Sequence, residues 1–197
     1  SEKKNNFLFL QSKKLNIFYI EHKDYVGGRF SILSETGIVP AYLMGVNISK
    51  LRSKIFTFFN SQKKAFLKDS SIKLANLIQS KKIKTLVFLN YSPKLEKLLF
   101  WCQQMIAESL GKKNKGFFPV VSNVPKDHHS LLQLYLDGPK DKLFHIFSLE
   151  EKTQLKIKTG KLFNSKNFIN NKKLTTIKLA QKNALIKALK IKNIPFR

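Results

Sequence analysis

Ile83-Lys-Thr-Leu-Val-Phe-Leu-Asn90 is the stretch on which the fold turns. Four apolar residues in a row, Leu86 to Leu89, give neither the alternation of a half-buried strand nor the length of a helix. A short β-rich run without alternation fits a strand covered on both faces, and such strands belong to parallel sheets. Downstream the pattern alternates: a helix over Lys94 to Leu110, a strand over Phe117 to Ser122, a helix over His128 to Leu136 and a strand over Lys142 to Phe147. Upstream, Leu15 to Ile20 reads as a strand, Ile32 to Met44 as a short apolar helix, and Ser49 to Asn60 and Ser71 to Ser80 as two more. Glu151 to Lys173, rich in lysine and asparagine, is expected to loop before a helix from about Lys173 to Lys190. The expectation is an α/β fold of three layers, a mostly parallel sheet with helices on both faces, binding ligands beyond the carboxyl ends of its strands.

The 197 residues, 43% of them apolar, suffice for one ordinary domain or one domain and part of another. Runs such as Leu98 to Cys102 are far below the ~20 residues a membrane helix needs. The single Cys102 cannot form an internal disulfide, which points to a reducing, cytoplasmic setting. A formal charge of +25 invites a nucleic-acid reading. Against it, only Arg29, Arg52 and Arg197 of the 37 basic residues are arginine, leaving 34 lysines scattered along the chain. Base recognition favours the planar fork of arginine, so the charge reads as a solvated lysine surface that adheres to polyanions in a salt-sensitive way, without specific nucleic-acid binding.

Three segments carry candidate chemistry. Gly27-Gly28-Arg29 lets the backbone approach a ligand without a Cβ and sets a permanent cation beside it, an arrangement suited to an anion. In the helix Lys94 to Leu110, one stripe of Leu95, Leu98, Leu99, Cys102, Met105 and Ile106 is expected to be core. Gln104 and Glu108, four apart, share the other side next to Phe100 and Trp101, and the negative helix end makes Glu108 a better proton acceptor. The third is Asp127-His128-His129-Ser130 at a helix start, where the dipole favours neutral imidazole. Paired histidines also suit a metal, but His22 and His145 are isolated and no cysteine cluster accompanies them.

Taken in order, Asp24-Tyr-Val-Gly-Gly-Arg-Phe-Ser31, Ala107-Glu-Ser-Leu-Gly-Lys112 and Asp127-His-His-Ser-Leu-Leu-Gln-Leu-Tyr-Leu-Asp-Gly-Pro139 resemble the glucose-6-phosphate isomerase family, in register over residues 24 to about 147. The resemblance implies a pair of sugar-isomerase (SIS) α/β domains, with residues 1–45 ending the first and carrying the Gly-Gly-Arg connection, 46–150 forming the second, and 151–197 adding a loop and a helix. It implies aldose-ketose interconversion of a hexose 6-phosphate through an enediolate, without cofactor or metal, in a homodimer. Arg29, after Gly28, would stabilise the enediolate charge; Glu108 would be the base that moves the proton; Gln104 would contact substrate. His129 would assist ring opening from the partner subunit, while His128 takes no role.

Departures from the family pattern are expected to matter. No serine- and threonine-rich phosphate loop precedes Asp24, Pro195-Phe196-Arg197 falls before the family's terminal lysine segment, and Glu35 and Thr36 stand where small or apolar residues are usual. The chain therefore reads as a fragment, expected to be poorly active or inactive alone. Two alternatives stay open: a non-catalytic SIS-type module that binds sugar phosphates, and a lysine-rich polyanion-binding protein. Hydride transfer is disfavoured, because Gly27-Gly28 does not make the dinucleotide fingerprint.

Overall fold

A computed structural model describes residues 6–53, 55–59, 62–151, 155–159 and 167–197. The chain divides into two compact units, Ser1–Leu74 and Ala75–Arg197.

The first unit is helical among its described residues. Helix α1 (Phe7–Lys14) is capped by Asn6, whose side chain accepts from the Phe9 amide at 2.9 Å. The strand expected over Leu15 to Ile20 does not form. The amides of Leu15 and Ile17 instead bond back to the Gln11 and Ser12 carbonyls, and Asn16 turns through the left-handed region at φ 52°. The chain thus closes the helix end rather than extending, because the capping bonds are local and a strand would need a neighbour. A 3-10 turn, Gly28–Leu33, leads into α2 (Glu35–Leu43), so the helix expected over Ile32 to Met44 starts later and tightens at its front. Gly37 is required by packing, since a Cβ there would lie 2.0 Å from the Ile32 carbonyl oxygen. The helix expected over Ser49 to Asn60 is described as two short pieces, α3 (Ile48–Arg52) and α4 (Ile55–Phe59), and α5 (Gln62–Ser80) begins earlier than its apolar pattern suggested.

The second unit contains the parallel sheet. Strand β1 (Thr85–Asn90) is followed by a 3-10 turn and α6 (Glu96–Leu110), β2 (Phe118–Asn123), α7 (His128–Asp137), β3 (Lys142–Phe147) and α8 (Leu174–Ile191). The strand order is β2-β1-β3, with Thr85 beside Phe118 and Lys142 at one edge and Asn90 beside Asn123 and Phe147 at the other. The crossover from β1 to β2 and the return from β2 past β1 to β3 travel in opposite directions, so right-handed connections put α6 on one face and α7 on the other. The final residues add a further rung: the Phe144 amide bonds the Pro195 carbonyl at 3.1 Å, and the Arg197 amide bonds the Phe144 carbonyl at 2.8 Å. Of the segment expected to loop, Glu151 to Lys173, part lies outside the described residues; Lys156 and Lys173 form an antiparallel bridge.

The core lies under β1. Val87, Leu89 and Tyr91 pack with Phe144, Tyr135 and Val124 against Leu185 and Leu189 of α8, with Leu131, Leu132 and Leu136 of α7 alongside. Burying one such leucine contributes about 1.5–3 kcal/mol, more than any single exposed ion pair supplies. On α6 the expected core stripe is narrower than its spacing: Leu99 is fully buried, whereas Leu98 is 45% exposed.

Candidate functional site

Two site residues meet on α6. The Gln104 side-chain amide donates to Glu108 Oε1 at 2.8 Å on the exposed side of the helix, the pairing that i, i+4 spacing allows. One residue earlier, Gln103 donates to the Pro119 carbonyl at 3.0 Å and ties this part of α6 to the start of β2. The helix stops at Gly111, whose amide bonds the Ala107 carbonyl. The return to β2 passes Gly116 at φ 117°, where a Cβ would lie 2.9 Å from the Leu110 carbonyl oxygen. Glu108 therefore sits at the end of the sheet where strands begin.

His129 stands at the other end. It is exposed in the first turn of α7, directly after the carboxyl end of β2, where the Asn123 amide donates to Asp127 Oδ2 at 2.8 Å. A six-residue strand spans roughly 17 Å, and α6 climbs roughly 18 Å between Glu96 and Glu108. One copy of this unit cannot bring Glu108 and His129 to the same small substrate. His128 turns inward, its ring edge-on to Tyr91 at 6.0 Å between centroids. Burial pushes its pKa below the ordinary imidazole value, against an opposing pull from Asp127, so His128 is neutral near pH 7.

Arg29 and Gly28 lie in the first unit, in the 3-10 turn, with the guanidinium 5.0 Å over the Phe30 ring. Ser31 Oγ donates to the Gly28 carbonyl at 2.7 Å. Behind the turn, buried His22 contacts the Val26 carbonyl through Nε2 at 3.0 Å and Glu35 Oε2 through Nδ1 at 3.5 Å. Glu35 thus braces the turn. Bonding from its own backbone first, and His22 next, holds its carboxyl below the usual range. A Cβ on Gly28 would meet nothing within 4 Å, so nothing within the described chain demands glycine there.

The carboxyl edge of the sheet holds polar groups that no motif announced. Asn90 donates to Asn123 Oδ1 at 2.9 Å, Asn123 donates to Glu96 Oε1 at 2.8 Å, and the Ser92 amide donates to Asn90 Oδ1 at 3.0 Å. Beside this network a cleft of about 430 Å³ opens among Tyr91, Ser148 to Glu151 and the face of α8 that carries Thr175, Lys178 and Lys182. Burial raises the Tyr91 phenol to about 12, so it stays protonated. The signal that would have found these residues is positional: each follows a strand end or lies on the helix after it. No group of three or more His, Cys, Asp or Glu suited to a metal occurs among the described residues, and no described helix is long and apolar enough to cross a membrane.

No family model matches the chain. It is 35% identical over 137 residues to the glucose-6-phosphate isomerase of Methanocaldococcus jannaschii, a match taking in 68% of this chain and 34% of that one. With that of Mycoplasmopsis synoviae it shares 30% over 199 residues, 95% of this chain and 45% of the relative, and with that of Campylobacter jejuni 33% over 178 residues, 86% and 43%. A hypothetical protein from Thermus thermophilus, known from its crystal structure, superposes with a TM-score of 0.82 at 25% identity over 96% of this chain and 48% of that one. The chain spans less than half the length of each of these relatives. The named relatives agree on one assignment, and one of them aligns along nearly all of the chain: the chain belongs to the glucose-6-phosphate isomerase family.

Proposed function

We propose that this chain supplies part of an aldose-ketose isomerase site for a hexose 6-phosphate, working through an enediolate in glycolysis and gluconeogenesis. The observation that carries the reading is the Gln104–Glu108 pair, an exposed carboxylate held at 2.8 Å by an amide donor. Glu108 takes the proton from one sugar carbon and returns it to the next, so one carboxylate serves both halves of the transfer. Gln104 fixes the oxygen that is not attacking and offers its amide to a substrate hydroxyl. Arg29 stabilises the enediolate charge as a cation too basic to give up its proton, and Gly28 leaves room for that approach.

His129 assists ring opening in a site completed by a second copy, since within one unit it lies at the far edge of the sheet from Glu108. A monomer of this chain is therefore inactive on this account, and the working form is a cytoplasmic homodimer. In domain terms, residues 1–45 close the first SIS domain, 46–150 form the second, and 151–197 add a loop and helix. The test is a coupled assay of fructose 6-phosphate isomerisation by the natural polypeptide carrying these residues, beside Glu108→Gln. Turnover in the parent that collapses in the variant supports the reading. Equal rates in both would remove Glu108 from the chemistry.

A further inference from the structure

His22 lies on the approach to the Gly27-Gly28-Arg29 turn, and its ring joins the two sides of that turn. Nε2 stands 3.0 Å from the Val26 carbonyl, just before the glycines. Nδ1 stands 3.5 Å from Glu35 Oε2, at the start of α2, just after the 3-10 turn. The residue is 9% exposed, and both Nδ1 and Glu35 Oε2 are closed to solvent without a hydrogen bond of their own.

A carbonyl only accepts, so Nε2 must carry the hydrogen. In neutral imidazole that leaves Nδ1 bare, one acceptor facing another where water does not reach. Bonding from its own backbone first, and from His22 next, holds the Glu35 carboxyl below the usual range, so Glu35 is ionised near pH 7 and does not supply the missing hydrogen. A second proton on the ring resolves the conflict. Imidazolium donates through both nitrogens, to Val26 before the glycines and to Glu35 after them. The clamp is then present while the ring is charged and is lost as pH rises and the ring turns neutral.

We propose that His22 in its protonated form is a positioning residue for Arg29, tying the two sides of the Gly-Gly-Arg turn together through Val26 and Glu35, and that the turn loosens when the proton leaves. The clamp stands on this geometry alone; only the part given to Arg29 rests on the isomerase reading. His22 is the sole histidine before residue 128, so no other imidazole titrates in the first unit. Lys23, which also acts on the Glu35 carboxyl and lies 3.9 Å from Glu21, Asp24 and Arg29 beside the turn, and Lys50 and Arg52 on α3 are of types that hold their charge between pH 6 and 9.

The test follows the natural polypeptide by NMR at pH 6 and pH 9. Amide exchange at Val26 and Phe30 reports on the turn, since these amides bond the Lys23 and Gly27 carbonyls. Corrected for the intrinsic rate at each pH, their exchange should quicken about tenfold from pH 6 to pH 9, the loss of one charge-assisted bond. Both ring nitrogens of His22 should carry hydrogen at pH 6, and Nε2 alone at pH 9. Glu35→Gln should remove most of the pH response, because its side-chain amide donates to the bare Nδ1, and Glu35→Ala should exchange fast at both values. In fructose 6-phosphate turnover at pH 6, Glu35→Ala should lower kcat more than it raises KM, since the charge that Arg29 meets arises in the transition state, and Glu35→Gln should recover part of the loss. Hydrogen on Nδ1 alone at pH 9, exchange that ignores pH, an unchanged pH response in Glu35→Gln, or a KM effect alone would overturn the proposal. The expected exchange results beside a parent that turns nothing over would contradict the isomerase reading and uphold the clamp.

Discussion

The two ends of the sheet differ in how they hold their chemistry. At the end where strands begin, Glu108 and Gln104 bond to each other on an exposed helix face. At the carboxyl end, Asn90, Asn123, Glu96, Asp127 and Ser92 form a connected and largely sheltered network. A carboxylate that must attack a carbon-bound proton gains from a dry surround that strengthens its interactions, and the first end does not provide one within the unit. The difference teaches that the Glu108 end stays open to solvent within its unit, whereas the histidine end is organised in advance.

The largest expected effect falls on the exposed end. Glu108→Gln in the active natural polypeptide should lower kcat by about 10²–10⁴, the usual worth of a positioned base. The melting temperature should hardly move, because an exposed glutamate on a helix contributes a few tenths of a kcal/mol. A large loss of stability would break the contrast. The network should behave the other way. Asn123→Ala takes the acceptor from the Asn90 amide and the donor from the Glu96 carboxylate and should cost about 1–3 kcal/mol in denaturant unfolding, against under about 0.5 kcal/mol for Gln104→Ala.

Acid sharpens the comparison with a smaller effect. Burial lowers the pKa of His128 and His145, with Arg197 adding to the effect on His145, so the unfolded chain binds more protons than the folded one at and below the ordinary value of 6.5. Stability should fall as pH drops from about 6.5 through the lower folded values, and His145→Phe should flatten part of this stage. Glu151, Asp137 and Asp141 are held low chiefly by bonds from Lys178, Lys192 and Lys142. Their stabilisation is present above the ordinary values of 4.5 and 3.8 and is lost as pH falls below them. Thermal melts across pH 3 to 8 should show two stages of decline, about 2 units of pH apart at their onsets.

What could be read beforehand follows the range of the interactions involved. Strand β3 forms over the residues its pattern implied, and β1 is legible because a buried parallel strand needs an unbroken apolar run. The Gln104–Glu108 bond is legible because helical spacing alone creates it. Leu15 to Ile20 misled because a β-rich run makes a strand only when another strand accepts it, and here local amides close α1 instead. The rung made by Pro195 to Arg197 is too short to carry a pattern. The cleft assembles Tyr91, Ser148 and Lys182 from three separate stretches, so only topology unites them. The placement of Glu108 and His129 at opposite edges follows from the order of strands and helices, not from the motifs that name them.

The central claim is that catalysis joins Glu108 of one copy to His129 of another. The direct measurement mixes two inactive variants of the natural polypeptide, Glu108→Gln and His129→Asn, after reversible dissociation, and assays fructose 6-phosphate turnover. Random pairing makes half the dimers mixed, each with one intact site, so activity should return to about a quarter of the parental rate. Mixed dimers that form but remain inactive would contradict it.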